Sequence, residues 1–211
     1  MGVAVLVLGN SGSGKSTSLR NFEPDEIGIL NVMGKRLPFR KQLKVADHAN
    51  YGTIQQTLKA NNMRAYVIDD AGYLMSLENF RRAKETGYGK FTDMALNFER
   101  VIEWATQTDE DTIVYIMMHY DKDADGHMKP KTIGRMLEEK FCIEGACPIV
   151  IQSTIVDGKY VFVTKGDGFN GAKAPMDMLP DVMDNDLKQV DTLIREYWQM
   201  KPLTETKKKE K

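Results

Sequence analysis

Nine residues near the start of the printed sequence, GNSGSGKST, have the composition and order of a loop that binds phosphate groups. They match the pattern GxxxxGK[ST], with an apolar run before them and a helical pattern after them. Glycines let backbone N–H groups turn towards phosphate oxygens, and a helix N-terminus adds partial positive charge. We therefore predict ATP and Mg²⁺ as ligands, with Lys15 at the β- and γ-phosphates and Ser16 on the metal. The residues predicted to bind the nucleotide are Gly9, Asn10, Ser11, Gly12, Ser13, Gly14, Lys15, Ser16 and Thr17.

Two consecutive acidic residues close a later apolar run, AYVIDD. A nucleotide site needs an acid at the end of a neighbouring strand, where the carboxylate holds the water shell of the metal. Asp69 is predicted to serve the Mg²⁺ in this way. Asp70 is predicted either to orient the attacking water or to cap the following loop, and the pattern leaves both roles open.

A histidine, His119, ends the next buried run, TIVYIMMHY. If this strand lies beside the one that carries Asp69, the histidine comes close to the terminal phosphate. A polar residue there can sense that phosphate and pass its state to the following loop. The alternative is a histidine that only caps the end of a strand.

The acidic segment after His119, DKDADGHMKPKTIGRM, begins like a calcium-binding loop. Such a loop needs a glutamate at its twelfth position, where this chain has Thr132, and we reject calcium for that reason. Lys131 and Arg135 are instead predicted to reach a phosphate in the same or a neighbouring subunit. A solvated charged loop is the other interpretation.

The segment from Tyr73 to Phe91 mixes basic and aromatic residues, including Arg81 and Arg82. Such mixtures can hold single-stranded nucleic acid through phosphate contacts and base stacking. A solvent-facing helix with a flexible end fits the same pattern.

Hydrophobic periodicity predicts an α/β fold, in which helices flank a mostly parallel sheet. A stretch near the end, PIVIQSTIVDGKYVFVT, predicts two antiparallel strands joined by a turn at Asp157-Gly158. The strand patterns cover Val3 to Leu8, Ile27 to Val32, AYVIDD and TIVYIMMHY, and helical patterns lie at Ser16 to Phe22, Tyr51 to Leu58, Phe91 to Ala105, Ile133 to Phe141 and Leu187 to Trp198.

Length and composition favour one globular domain, residues 1–200, followed by a basic tail, residues 201–211, that is expected to be disordered. The formal net charge of −1 provides no general attraction to nucleic acid. No apolar run has membrane-spanning length and no secretory signal is apparent, so a cytoplasmic location is expected. Cys142 and Cys147 fit a reducing compartment and are predicted to be small buried residues.

Several segments together resemble the phage-encoded AAA-type, RecA-like ATP-binding proteins, a group that includes core-only relatives of the recombinases acting as single-strand annealing proteins. The segments are GNSGSGKST, AYVIDDAGYL, the strand ending in His119, KTIGRMLEEKF, DGKYVFVT and AKAPMDMLP. The resemblance implies a RecA-like core, ATP hydrolysis with Mg²⁺ and assembly into a homo-oligomeric ring or filament. It also implies phage DNA recombination or replication in the host cytosol, with single-stranded DNA and a single-strand-binding protein as partners.

The chain departs from the recombinases after its second strand, where ILNVMGKRLPF has no acid to activate water. Asp70 is then the candidate for that role, or hydrolysis is slow. Two further functions remain open at this point. One is a small-molecule kinase, with Arg81 and Arg82 on a loop that covers the phosphates. The other is an interaction module that binds ATP with little turnover.

Overall fold

The computed structural model describes residues 1–134, 136–137 and 140–204. Its strands are β1 (Val3–Leu8), β2 (Gly28–Asn31), β3 (Lys44–Asp47), β4 (Ala65–Asp69), β5 (Ile113–Met118), β6 (Tyr120–Lys122), β7 (Met128–Pro130), β8 (Ile149–Val156), β9 (Lys159–Val163) and β10 (Val182–Asp184). Its α-helices are α1 (Tyr51–Ala60), α2 (Gly72–Arg81), α3 (Gly89–Thr106), α4 (Ile143–Ala146) and α5 (Leu187–Trp198), and a 3₁₀ helix spans Ser16–Asn21.

In the described part of the chain, eight strands form one sheet in the order β10-β9-β8-β1-β5-β4-β2-β3. The strands from β8 to β3 in this order run parallel, whereas β9 and β10 are antiparallel to their neighbours. The predicted α/β fold class is thereby confirmed: a mostly parallel sheet lies between helices, with antiparallel strands near the C-terminal end.

Helices cover both faces of the sheet, and β1 contributes to the core on each side. Leu6 belongs to the core beneath α1, α2 and α3, whereas Val5 and Val7 belong to the core beneath the 3₁₀ helix and α5. This division follows from the alternation of side chains along a strand. Because β1 is buried on both faces, its sequence is a continuous apolar run.

The sheet order brings four strand ends together at one edge. The strand β5 lies between β1 and β4, so the segment after Met118 is adjacent both to the glycine-rich loop and to Asp69. On the other side of β4, Asn31 of β2 is in register with Asp69. The carboxyl ends of parallel strands are where such sheets bind ligands.

The helix that follows the glycine-rich loop is shorter than predicted. Only the 3₁₀ helix from Ser16 to Asn21 forms, and Phe22 after it is extended. The Ser18 hydroxyl donates a hydrogen bond to the Lys15 carbonyl at 2.6 Å, a local interaction that competes with α-helical geometry. Pro24 also disfavours helix at the residue before it. A six-residue helix adds little dipole to the loop.

The predicted hairpin and final helix are confirmed. Asp157 and Gly158 both have positive φ, 49° and 75°, as a two-residue turn between β8 and β9 requires. The side chain of Asp186 accepts hydrogen bonds from the backbone N–H groups of Lys188 and Gln189 and so caps α5. The sequence patterns did not indicate β3 or β10, because both are short and carry polar or exposed residues.

The two cysteines differ in their environment. Cys147 is buried as predicted, but the prediction is wrong for Cys142, which is exposed. Cys142 precedes the short helix α4, and its sulfur accepts a hydrogen bond from the Gly145 N–H at 3.2 Å. Its polar role at a helix start explains why it remains at the surface.

Two predictions lie partly outside the described residues. The helical pattern from 133 to 141 includes residues 135, 138 and 139, and the predicted tail includes residues 205–211. Among the helices that are described, none is both long enough and apolar enough to cross a membrane.

Candidate nucleotide-binding site

The glycine-rich loop from Gly9 to Thr17 connects β1 to the 3₁₀ helix and bends through two glycines. Gly12 and Gly14 have φ angles of 78° and 98°, which side-chain-bearing residues rarely adopt. A Cβ atom at Gly14 would also lie 2.9 Å from a ring carbon of Tyr160. The second glycine of the motif is therefore needed both for backbone conformation and for close packing.

Residues from the C-terminal part of the sheet hold the underside of this loop. The Ser153 hydroxyl on β8 donates to the Ser13 carbonyl at 2.8 Å. Asn185, directly after β10, donates in turn to the Ser153 hydroxyl at 3.2 Å. We name Ser153, Asn185 and Tyr160 the loop brace. Sequence reasoning missed it, because no local pattern connects residues so far apart.

Lys15 points back into its own loop. Its ammonium donates to the carbonyl oxygens of Gly9 and Asn10 at 2.7 and 3.0 Å. Burial lowers the pKa of Lys15, and the nearby carboxylates of Asp70 and Asp69 oppose that shift. The ammonium is thus held by neutral carbonyls, which are weaker partners than phosphate oxygens.

Ser16 and Asp69 face each other at the base of the cleft. The Ser16 hydroxyl donates to Asp69 Oδ2 at 2.8 Å, while Asp69 Oδ1 is buried without a hydrogen-bond partner. Burial raises the pKa of Asp69 above the ordinary carboxyl value. Hydroxyl and carboxylate oxygens are ligands that Mg²⁺ prefers, so this pair and its unpartnered oxygen fit that ion.

Asp70 has a strained backbone and a cationic partner. Its φ is 59°, a left-handed conformation that is uncommon outside glycine. Its Oδ2 accepts a hydrogen bond from the ammonium of Lys35 at 2.7 Å. Strain of this kind is concentrated at functional sites, where the surrounding structure maintains it.

His119 lies between the glycine-rich loop and Asp70. Its Nδ1 lies 3.1 Å from the carbonyl oxygen of Gly9, so Nδ1 carries the proton, because a carbonyl only accepts. Its Nε2 lies 3.7 Å from Asp70 Oδ1. Burial lowers the pKa of His119, and the positive charge of Lys15 lowers it further, so the neutral ring is favoured at pH 7.

These residues line one cleft of about 230 Å³ at the carboxyl edge of the sheet. The cleft also receives Lys35, Arg36 and Pro38 from the segment between β2 and β3. Both cations stand in the segment ILNVMGKRLPF, whose sequence indicated only the lack of an acid. Their position just after β2 becomes informative only when the sheet order is known, because β2 pairs with β4, the strand that ends in Asp69. The lining residues are Ser11, Gly12, Ser13, Gly14, Lys15, Ser16, Thr17, Lys35, Arg36, Pro38, Asp69, Asp70 and His119.

Lys131 lies beside this cleft rather than in it. Its ammonium is 3.3 Å from Asp121 Oδ1, and both side chains are exposed. It lines an adjoining cavity of about 370 Å³ that shares Ser11 and His119 with the nucleotide cleft. Arg135, its predicted partner in phosphate binding, lies outside the described residues.

The acidic segment after His119 forms the β6–β7 hairpin. Asp123 Oδ1 accepts hydrogen bonds from the backbone N–H groups of Asp125 and His127 at 3.0 and 2.9 Å. Its Oδ2 lies 3.2 Å from the ammonium of Lys129. Both carboxylate oxygens of Asp123 therefore interact with donors of the hairpin itself.

Apart from Tyr73, whose ring meets that of His119 edge-on, the basic and aromatic segment from Tyr73 to Phe91 lies away from the cleft. Arg82 interacts with three carboxylates, those of Glu78, Glu85 and Asp93, at 2.7 to 3.1 Å. These partners hold its guanidinium group, and neither Arg81 nor Arg82 lines the nucleotide cleft. The exposed side chains of Phe80 and Tyr88 are on this segment.

Comparisons with known proteins assign no family to the chain. No family model matches the chain, and no curated protein matches it. A solved structure that does match is that of a prototypical ATPase from the type III secretion system of pathogenic bacteria, with 15% identity and a TM-score of 0.48. The match covers 73% of this chain and 52% of that one, so this chain spans about half the length of that ATPase.

Proposed function

We propose that the chain binds ATP with Mg²⁺ and hydrolyses it. The observation that carries the proposal is the hydrogen bond of 2.8 Å between Ser16 and Asp69, beside the buried ammonium of Lys15. A hydroxyl, a carboxylate with an unpartnered buried oxygen and a cation converge there on a glycine-rich loop. This combination suits the phosphates and the metal of a nucleoside triphosphate.

Each residue has a definite task in this proposal. Lys15 exchanges the carbonyls of its own loop for β- and γ-phosphate oxygens, which are stronger acceptors. Ser16 and Asp69 hold the Mg²⁺ and its water. The metal, when bound, neutralises charge that develops on the phosphates. His119 follows the state of the terminal phosphate, because it connects the Gly9 carbonyl with the neighbourhood of Asp70.

Hydrolysis then requires one activated water molecule. The water oxygen forms a bond to the γ-phosphorus while the bond from that phosphorus to the β–γ bridging oxygen breaks, and its electron pair remains with ADP. Asp70 accepts a hydrogen bond from the water and orients it, and the proton that the water loses ends on the inorganic phosphate. Positioning and electrostatic stabilisation supply most of the catalysis in such reactions.

The test combines binding with turnover. Calorimetry with ATP and Mg²⁺ is expected to give a saturable signal, and phosphate release is expected to require Mg²⁺. Lys15→Ala removes both effects. Lys44→Ala leaves both unchanged, because Lys44 lies on the edge strand β3 and forms an exposed ion pair with Asp25. Binding of ATP by the Lys15→Ala variant with parental affinity contradicts the proposal.

A second candidate is an ATP-gated interaction module with little turnover, and one observation favours it. Apart from Asp69 and Asp70, no described residue lining the cleft is acidic, and Asp70 is already paired with Lys35. Single-turnover measurement separates the two functions: an ATPase releases phosphate within the lifetime of the complex, whereas a module releases intact ATP. The kinase alternative has no such support, because Arg82 is held by carboxylates outside the cleft.

The finer role rests on the resemblance stated above. We propose that the nucleotide state controls assembly into a ring or filament and the handling of single-stranded DNA in phage recombination or replication. Sedimentation with and without ATP, and phosphate release with and without single-stranded DNA, test this role. This role is excluded if the chain remains monomeric with and without ATP and hydrolyses ATP at the same rate with and without single-stranded DNA. The ATPase proposal would remain intact.

A further inference from the structure

The segment that carries Lys35 is fixed at its base by a buried asparagine. Asn31, at the end of β2, donates to the Lys35 carbonyl at 2.7 Å and to Asp47 at 2.8 Å. Its side-chain oxygen accepts a hydrogen bond from the Gly34 N–H at 3.0 Å. Asn31 is only 2% exposed, whereas its partners Lys35 and Asp47 lie at the surface. The backbone of Lys35 is therefore held at a set position relative to β2 and its neighbour β4.

The side chain of Lys35 is far less restrained than its backbone. It is 59% exposed, and its ammonium bonds Asp70 at 2.7 Å and lies 5.2 Å from the centre of the Tyr73 ring. Four methylene groups allow the ammonium to move by several ångströms while the backbone stays fixed. Lys35 is thus an anchored residue with a mobile charge at the rim of the cleft.

Two lysines face the same space from different elements. Lys15 belongs to the glycine-rich loop and Lys35 to the segment after β2, and both line the cleft. Burial lowers the pKa of Lys15, and the positive charge of Lys35 lowers it further, whereas the hydrogen bond with Asp70 raises the pKa of Lys35. An anion placed between two like charges relieves their repulsion.

We propose that Lys35 is the cation that recognises the terminal phosphate of ATP, and that it does so within its own chain. This inference rests on the function proposed above. On binding, the ammonium of Lys35 leaves the Asp70 carboxylate for a γ-phosphate oxygen. ADP lacks that group, so the ion pair between Lys35 and Asp70 stays closed when ADP is bound.

The exchange links recognition to the water-orienting residue. While Lys35 is paired with Asp70 Oδ2, its positive charge makes Asp70 a weaker acceptor for a water molecule. Once the γ-phosphate attracts Lys35 away, Asp70 becomes a stronger acceptor for the hydrogen bond of the attacking water. The basic segment after β2 has no acid of its own, but through Lys35 it controls when the carboxylate of Asp70 can act.

A binding experiment tests the inference without relying on turnover. Calorimetry compares a non-hydrolysable ATP analogue with ADP, each with Mg²⁺, for the parent, Lys35→Met and the control Lys44→Met. In Lys35→Met we expect the analogue to bind about tenfold more weakly, as for loss of one charge-assisted hydrogen bond, while the affinity for ADP stays within about twofold. Lys35→Arg should recover most of the preference, and Lys44→Met should match the parent.

The outcomes distinguish this inference from the function on which it rests. If the parent binds neither nucleotide, the proposed function fails and the inference with it. If the parent binds both and Lys35→Met keeps the parental ratio, or weakens both nucleotides equally, only the inference fails. Two controls check the assignment to Lys35 of the same chain: the preference for the analogue should not vary with protein concentration or with Lys131→Met. Loss of the preference on dilution assigns the cation to a neighbouring subunit, loss in Lys131→Met assigns the recognition to Lys131, and either result overturns the inference.

Discussion

Polar groups are buried at both ends of the parallel strands, here called the amino edge and the carboxyl edge of the sheet, and their hydrogen bonding differs between the two. At the amino edge, below β4 and β5, the guanidinium of Arg195 on α5 donates to the Asp191 carboxylate and to the backbone carbonyls of Arg64, Asp111 and Lys201. At the carboxyl edge, Asp69 Oδ1 and the Ser13 hydroxyl are buried without hydrogen-bond partners.

Polar groups at the amino edge contribute to the stability of the fold, whereas polar groups at the carboxyl edge remain available to a ligand. At the amino edge Tyr115 also donates to Asp191, at 2.9 Å, so a fully buried ion pair has its hydrogen bonds completed by the protein. At the carboxyl edge Lys15 and Asp70 are held by partners that a nucleotide can displace. Buried groups without permanent partners cost free energy, and retaining them at a cleft indicates a site prepared for a ligand.

The largest effect is expected at the amino edge. Asp191→Leu leaves the guanidinium of Arg195 buried without its carboxylate, which costs about 3–5 kcal/mol of unfolding free energy. Urea denaturation measures this loss. The same variant, assayed below its unfolding midpoint, should bind ATP with parental affinity, and a loss of affinity without a loss of stability would break the separation between the edges.

Lys15→Ala should produce the converse result at the carboxyl edge. Removing the ammonium is expected to lower phosphate release by at least about a hundredfold, as for loss of a preorganised electrostatic contact. Because burial lowers the pKa of Lys15, its removal should cost little unfolding free energy in the absence of nucleotide. A strongly destabilised variant would show that this lysine supports the fold instead.

Asp69→Asn is expected to raise stability while weakening the binding of ATP with Mg²⁺, because the variant lacks the carboxylate proposed to hold the metal. Burial raises the pKa of Asp69 in the folded state, so its ionised form destabilises the protein as pH rises through that pKa. Without nucleotide, the variant should be more stable than the parent at neutral pH, and the gain should vanish as pH falls below the ordinary carboxyl range. Denaturation across this pH range measures the difference, with the exposed Asp25→Asn as control.

Lys131→Ala should have the smallest effect. Its ion pair with Asp121 is exposed on both sides, and such pairs contribute less than about 0.5 kcal/mol. Thermal denaturation at low and high salt should show no resolvable shift from the parent. A larger loss of stability would contradict this prediction and would show that Lys131 makes further stabilising contacts.

Local patterns were sufficient for much of this fold. The glycine-rich motif between strand and helix patterns, the strand ending in Asp69 and the hairpin at Asp157-Gly158 each depend on residues adjacent in sequence. The helical stripe from Phe91 to Ala105 likewise needs only its own periodicity, and the structure places it in α3.

Features built from distant segments escaped prediction. Lys35 gains a possible role only because β2 pairs with β4, and Ser153 supports the glycine-rich loop across 140 positions of sequence. The extent of the 3₁₀ helix was missed for a different reason: hydroxyl groups and a following proline weaken an α-helical pattern without erasing its apolar spacing. Sheet order, rather than residue type, decided the first two cases.

The loop brace has a consequence for how the protein is made. Ribosomes deliver the glycine-rich loop well before Ser153, Tyr160 and Asn185, and Ser153 follows its partner Ser13 by 140 residues. The strand before the loop also lacks its neighbours at first, since both β5 and β8 are synthesised later. A nascent chain therefore carries the nucleotide motif long before it carries a shaped nucleotide pocket, and capture of ATP should begin only after Asn185 has been synthesised.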